Sequence, residues 1–432
     1  MEELWILFMC SFLISNKDLN TKECELPLSF FGKKIYREKI SDFNILICSN
    51  TDDCLLKDIN EQIFCIFDGV IFDGNTPIDL YKKYGEKFTE YLDGEYAFVL
   101  IDLKKRILIG SSDIFGSRQI YFSADNDSIT ISTLYSCLEQ LNQKAISRIY
   151  ENCYFVYNMD TYALNFYEIH NFNNEEKKDN ISDWEEAFEK SVLKKVKNAK
   201  NITLLLSDGM DSGSIACCLQ KYNINFNALS VITDSYHPND IFYWRHGSTE
   251  NLPHDVAPCK VTDSSMIVDS GKIKKCNCNC FFDYKSTRFN QRLKIFEDEH
   301  IKEADIGRNL SCYIARYMKR INSDILLSGH GAIFSDKNIN RNLNWTNNMR
   351  GCNYDNPITI RQCCGPHQIE NRLPLLDKQL FQETLFLNKN IFFNYKQQVQ
   401  QYLDKHKYPY FLYKDGEKII NIRGLTNLSN YI

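Results

Sequence analysis

Apolar and polar positions divide this chain into two regions with different periods. Across residues 1–172, apolar runs of strand length recur: "LWILFMCSFLI", "FNILICS", "IFCIFDGVIFD", "EYAFVLIDL", "RILIGSSD", "QIYFSAD" and "SITISTL". Turn residues such as Asp93-Gly94 and Asp125-Asn126-Asp127 punctuate them, so a β-rich domain is predicted. A polar segment over 173–181 reads as a linker. Beyond it the period lengthens. In "DWEEAFEKSVLKKVKNA", Trp184, Phe188, Val192 and Val196 recur at four-residue spacing, one buried helical stripe, and Ser182-x-x-Glu185 predicts a capping box at its start. Strand and helix patterns then alternate: "ITLLL" into "GSIACCLQKY", "NALSVIT", and later "LSCYIARYMKRI" into "DILLSG". That alternation predicts an α/β domain over 182–432 around a parallel sheet covered on both faces. Ligands of such sheets bind outside the carboxyl ends of the strands, where Ser207–Gly213 and Ser328–Gly331 fall.

Length agrees with two domains, since 432 residues exceed one ordinary core. The formal net charge of −5, with both signs interspersed, removes nucleic acid and anionic membrane surfaces as expected partners. The 17 cysteines include adjacent pairs (Cys217-Cys218, Cys363-Cys364), which suit reduced thiols. The opening "MEELWILFMCSFLI" begins acidic and its apolar run is too short to span a bilayer, so a cytoplasmic location is expected. Cys276, Cys278 and Cys280 have C-x-C spacing rather than the C-x2-C of zinc knuckles. They read either as a metal site or as free thiols in a polar insertion.

The stretch "ITLLLSDGMDSGSIACCLQKY" holds the richest chemistry. A loop between a strand and a helix N-terminus offers unpaired N–H groups to an anion. Gly209 and Gly213 let the backbone close in, and Ser207 and Ser212 add hydroxyls. Asp211 suits a Mg²⁺ that neutralises a pyrophosphate. Without a lysine, this is not the G-x4-G-K-[ST] mononucleotide loop. Taken alone, it reads equally as an anion site or as a plain βα turn.

Ser207-Asp208-Gly209-Met210-Asp211-Ser212 resembles the S-G-G-x-D-S pyrophosphate loop of the ATP-pyrophosphatases, specifically the asparagine synthetase family. Four further stretches resemble that family in its own order: Tyr91–Phe98 ("YLDGEYAF"), Asp113–Tyr121 ("DIFGSRQIY"), Leu327–Gly331 ("LSGHG") and Glu370–Asp377 ("ENRLPLLD"). They span about residue 64 to about residue 414. The resemblance implies an N-terminal αββα domain of the N-terminal-nucleophile amidohydrolase type, followed by an α/β ATP-pyrophosphatase domain. It implies a Mg·ATP-dependent, AMP-forming ligase that activates a small-molecule or peptide carboxylate as its acyl-adenylate. Ammonia or another amine then displaces AMP. A homodimer is compatible with it. Leu206, Val231, Ser328 and Gly329 match positions that hold adenosine, Lys396 one that touches phosphates, and Lys414 one that stabilises the transition states.

Departures from the family pattern carry expectations of their own. Asp208 replaces a glycine and would repel pyrophosphate unless it shares the metal or points outward. The second loop lacks the family's metal-binding Asp, for which Asp336, just beyond, is the candidate. His330, with Asp355 orienting it and favouring imidazolium, reads either as a general base toward the amine or as a satisfied histidine with Asp355 an ordinary loop acid. Gln400 stands where an Arg is usual. Glutamine-dependent relatives begin Met-Cys; here Met9-Cys10 looks like that start displaced, so Cys10 is a nucleophile only after processing and otherwise a buried strand thiol. Asp68-Gly69-Val70 replaces the oxyanion motif N-G-E, which reads as a degenerate glutaminase half. The alternatives are an intramolecular amide former, similar to β-lactam synthetases or lasso peptide cyclases, and a non-catalytic nucleotide-binding relative.

Overall fold

Strands β1 (Ile6–Phe8), β2 (Cys10–Ser15), β3 (Lys34–Ile40), β4 (Phe43–Ser49), β5 (Leu55–Asp58) and β6 (Ile63–Ile71) lead to helix α1 (Pro77–Tyr84). After it come β7 (Gly94–Asp102), β8 (Ile107–Ser112), β9 (Tyr121–Ala124), β10 (Ile129–Ser132), helix α2 (Tyr135–Gln140), β11 (Ser147–Arg148), β12 (Cys153–Asn158) and β13 (Leu164–Glu168). This computed structural model describes residues 6–17, 25, 28, 32, 34–50, 53–207, 209–229, 314–315, 318–331, 364–388, 391, 396–408, 410–414 and 417–421. They fall into two units, the first holding the residues up to Asn171 together with 314–315 and 364–370, the second beginning at Phe172.

The first unit contains two antiparallel sheets, ordered β1-β6-β7-β8-β12-β13, with β5 also on β6, and β11-β9-β10-β2-β4-β3. Period-two alternation decides what each face meets. Leu13 lies opposite Leu46 and Ser11 opposite Cys48. Leu13, Leu46 and Cys48 close over Leu134 and Cys137 at α2. The other face of β2, carrying Cys10, Phe12 and Ile14, turns to the first sheet, where the Cys10 thiol donates to the Phe67 carbonyl at 3.4 Å. Phe67 and Phe98 stack on the far side of that sheet, Phe88 packs on Phe98, and Tyr81 of α1 meets Phe88 edge-on. The layers therefore run helix, sheet, sheet, helix.

One predicted strand divides. "LWILFMCSFLI" breaks at Met9: Ile6–Phe8 pairs with β6 in one sheet, and Cys10–Ser15 pairs with β4 and β10 in the other. Just past the crossing, the Cys10 N–H donates to the Asp68 carboxylate at 3.2 Å.

In the second unit, helix α3 (Ser182–Val196), β14 (Ile202–Leu205), α4 (Met210–Lys221), β15 (Asn227–Leu229) and β16 (Ile325–Ser328) are followed by β17 (Glu370–Arg372, whose first residue belongs to the first unit), α5 (Lys378–Phe386), α6 (Gln397–Lys405), β18 (Tyr410–Lys414) and β19 (Glu417–Asn421). The central sheet is ordered β15-β14-β16-β17, with β14 parallel to both β15 and β16. Leu205 lies level with Leu229 on one side and Ser328 on the other, so three carboxyl ends finish flush. The α3 stripe forms as its spacing predicts: Trp184, Phe188, Val192 and Val196 are buried. Each such side chain contributes roughly 1.5–3 kcal/mol of burial. Trp184 and Phe188 stack at 5.4 Å, and Tyr402 of α6 caps Phe188 edge-on.

The predicted capping box does not form. Ile181 is the N-cap and supplies no side-chain hydrogen bond. Glu185 turns instead to Lys405, at 2.7 and 2.9 Å, and to His406 Nε2 at 3.1 Å. Charge-assisted bonds outweigh the single neutral N–H a capping carboxylate would gain. The polar segment 173–181 lies along α5, with the Lys177 and Lys178 N–H groups both donating to the Phe386 carbonyl at 3.0 Å. No helix among the described residues is long and apolar enough to cross a membrane.

Candidate functional site

β14 ends at Leu205 and α4 begins at Met210 with Gly209 as its N-cap, so four residues, 206–209, join them. Hydroxyls lock this loop. Ser212 Oγ accepts from the Ser207 N–H at 3.0 Å and lies 2.9 Å from Ser207 Oγ, while the Gly209 N–H donates to Ser207 Oγ at 3.1 Å. Leu206 is buried, and its N–H donates to the Leu229 carbonyl.

The second loop lies against the first. A Cβ built on Gly329 would come within 2.8 Å of the Ser212 nitrogen and 3.2 Å of Asp211 Cβ, so only glycine permits this approach. Gly331, at φ +91°, rests on the Leu376 side chain. Behind it, the fully buried Lys195 ammonium donates to the carbonyls of Leu373 and Leu376, both at 2.8 Å. Asp377 caps α5 through the N–H groups of Gln379 and Leu380 and pairs with Lys194 at 2.5 Å. The stretch "ENRLPLLD" is thereby fastened under the second loop.

Asp211 stands in the first turn of α4 and pairs with Lys396, a left-handed residue at the N-cap of α6. Burial pushes the Asp211 carboxyl upward in pKa, and the Lys396 charge opposes that rise. Its second oxygen, Oδ1, is buried and has no hydrogen-bond partner among the described residues. An orphaned carboxylate oxygen at a helix N-terminus is a donor that suits Mg²⁺. The residues present therefore fit that ion.

His330 Nδ1 lies 3.1 Å from Ser328 Oγ. Burial lowers its pKa below the ordinary value, which favours neutral imidazole over the imidazolium expected of a His–Asp pair. Asp208, Val231, Asp336, Asp355 and the Cys276–Cys280 cluster lie outside the described residues. Lys414 ends β18. Thus Ser207, Gly209, Asp211, Ser212, Gly329 and Lys396 are brought together, with Ser328 and His330 on the adjoining strand end.

The first unit holds a separate polar centre. Arg118 donates to Asp68 at 3.2 Å, to the Glu95 carbonyl at 3.1 Å and to Glu370, all buried. Asp113 organises the turn before it, accepting from the N–H groups of Phe115 and Ser117 and from the Ser117 hydroxyl. Cys10 sits beside Asp68 as a buried strand residue.

The sequence reading missed one constellation. Glu185, Glu189 and His406 converge within 4.8 Å. Lys405 holds Glu185, while Lys221, Tyr222 and Tyr402 hold Glu189. The four-residue spacing of two acids on α3 was the available signal, obscured because the capping box claimed the first of them.

Residues 67–140 match the family described as a glutamine amidotransferase domain. Among curated proteins, amidase chyE of Penicillium rubens is 38% identical over 56 residues, 13% of this chain and 8% of that protein. Asparagine synthetase [glutamine-hydrolyzing] 2 of rice (Oryza sativa subsp. japonica) is 27% identical over 159 residues, covering 33% of this chain and 24% of the relative. Among solved structures, glutamine phosphoribosylpyrophosphate amidotransferase from B. subtilis superposes with a TM-score of 0.30 at 9% identity, covering 51% of this chain and 65% of that one, too loosely to argue from. The matched stretches span a quarter or less of both curated relatives. Over these stretches the chain is similar to a glutamine amidotransferase domain and to glutamine-hydrolysing asparagine synthetases.

Proposed function

We propose that this protein is a Mg·ATP-dependent, AMP-forming amide synthetase of the asparagine synthetase type. It would join a small-molecule or peptide carboxylate to ammonia or another amine. The observation that carries the reading is Asp211 Oδ1, a buried carboxylate oxygen with no hydrogen-bond partner among the described residues, in the first turn of α4, beside the Ser207–Ser212 clasp and against Gly329. Asp211 would hold the Mg²⁺, whose chemistry is to neutralise pyrophosphate as it leaves. The loop's N–H groups and hydroxyls would bind the phosphates, and Lys396 would turn from Asp211 to them. Leu206, Val231 and the Ser328-Gly329 backbone would serve to hold the adenosine, and Asp336 would serve as the second metal ligand. Lys414 would stabilise the charge that develops on the activated carboxylate. The glutaminase half would be inactive, because Cys10 is embedded in β2 with its nitrogen an amide bonded to Asp68, not a free amine. Reduced thiols suit a reducing compartment such as the cytoplasm. A carboxylate panel scored for ATP-dependent pyrophosphate release tests the reading, which fails if none supports release above background.

Two outcomes refine it. Gly329→Ala should weaken Mg·ATP binding roughly tenfold or more, since a backbone clash of this kind costs about 1–3 kcal/mol. Calorimetric titration reads this directly, and an unchanged affinity would detach the second loop from the nucleotide. For His330, burial disfavours the protonated form, so the base is in its active neutral state at pH 7. Amide formation should therefore be flat from neutral pH upward and decline only on an acid limb below about 6.5, the ordinary histidine value. His330→Ala should remove that limb and slow amine transfer more than pyrophosphate exchange. Equal loss of both steps would make His330 a nucleotide contact.

A further inference from the structure

Phe67 of β6 is gripped from two sides by cysteines. Its N–H donates to the Cys54 carbonyl at 2.9 Å, and its carbonyl accepts from the Cys10 thiol at 3.4 Å. Cys10 lies opposite Ser49 on the neighbouring strand, and the Cys54 thiol donates to the Ser49 hydroxyl at 3.2 Å. Directly opposed residues of an antiparallel pair share a face, so Cys10 projects to the side of the sheet where the Cys54 thiol meets Ser49, although the two cysteines stand 44 positions apart in the chain. Both are buried.

We propose that Cys10 and Cys54 form a dithiol–disulfide pair, a reversible oxidation site in the first unit. The oxidant is a small-molecule disulfide. The Cys54 thiolate attacks one of its sulfurs, forming a mixed disulfide and releasing one thiol. Cys10 then displaces the second thiol, its proton leaving with that group. Two protein thiols lose two electrons and two protons, and the small disulfide becomes two thiols.

Chemistry favours Cys54 as the attacking group. The neighbouring Cys10 thiol, and secondarily Ser49, stabilise its thiolate and hold its pKa below the usual thiol value, against the opposing effect of burial. Elsewhere burial does the reverse, pushing Cys48 to about 11 and Cys218 to about 12, and raising Cys65 and Cys217 as well. The bond would staple the start of β2 to the turn entering β5, occupy the Cys10 sulfur and leave the second unit's loops untouched. It stands independently of the proposed synthetase activity.

Non-reducing peptide mapping tests it. Fully reduced, folded protein is incubated with oxidised glutathione, quenched by alkylation and digested, in parallel with protein in denaturant. A peptide joining Cys10 to Cys54 is expected, roughly tenfold or more enriched in the folded sample, because prealigned groups react at high effective concentration. Cys54→Ser should leave Cys10 recoverable as the alkylated thiol. If that variant fails to fold, the wild-type comparison decides alone. Absence of the linked peptide from the folded sample, its equal abundance in denaturant, or mixed glutathione adducts at both positions would each overturn the proposal.

Discussion

Asp211→Asn is expected to lower ATP–pyrophosphate exchange about a hundredfold or more, since metal stabilisation of transition-state charge is worth several kcal/mol and each 1.36 kcal/mol is tenfold. Asparagine keeps the size and shape of the side chain, so α4 should still begin at Met210 and the cooperative unfolding transition should survive. The change removes the negative charge that Oδ1 offers a cation and that Oδ2 offers Lys396. A second readout does not depend on turnover. In the parent protein Mg²⁺ should strengthen ATP binding, and in Asp211→Asn the affinities with and without Mg²⁺ should converge. If the variant keeps its Mg²⁺ dependence and its exchange rate, Asp211 is a structural counter-ion for Lys396 and the metal assignment fails.

The largest effect on stability is expected at Arg118. Its guanidinium is buried with Asp68, Glu370 and the Glu95 carbonyl around it. Burial works against its charge, and the surrounding carboxylates more than restore it, so its pKa lies above even the ordinary arginine value. Arg118→Met preserves bulk but strands two carboxylates in a dry interior. Breaking a buried pair from one side costs about 3–5 kcal/mol. Arg118→Lys should lose less, because it keeps the charge while giving up the planar fork that reaches several acceptors at once. Urea denaturation of the three proteins checks the order. A methionine variant within about 0.5 kcal/mol of the parent, the range of ordinary surface substitutions, would mean that water already reaches this centre.

Local pattern revealed much of this molecule because much of it is locally determined. The α3 stripe is legible since four apolar residues at helical spacing have one way to be buried together. The β14–loop–α4 unit is legible because glycines, serines and an acid after an apolar strand satisfy both the turn and the helix start. Other features depended on partners remote in sequence. Nothing between Ile6 and Ser15 marks the crossing at Met9; β6 and β4 impose it by offering edges in different sheets. β3, reading "KIYREKI", is an edge strand with mostly accessible side chains, so it lacks the apolar signal. Helix α1 did carry a readable start, Thr76 capping Asp79 with Pro77 in the first turn, which the surrounding strand-like runs obscured. The capping box failed because Lys405 and His406, more than two hundred positions away, compete for Glu185. The Asp211–Lys396 pair is likewise invisible to any local window.

The break at Met9 bears on what trimming the chain to Cys10 would do. Ile6, Leu7 and Phe8 pair with Ile71, Val70 and Gly69, while β5 pairs only with the other end of β6, at Ile63–Ile66. Cleavage ahead of Cys10 would free an amine beside Asp68. It would also bare the backbone edge of Gly69, Val70 and Ile71 on β6, a template to which strands of other molecules can add. Colloidal behaviour, measured as light scattering on storage, would then report on the leading residues: they keep that flank of the sheet from recruiting its neighbours.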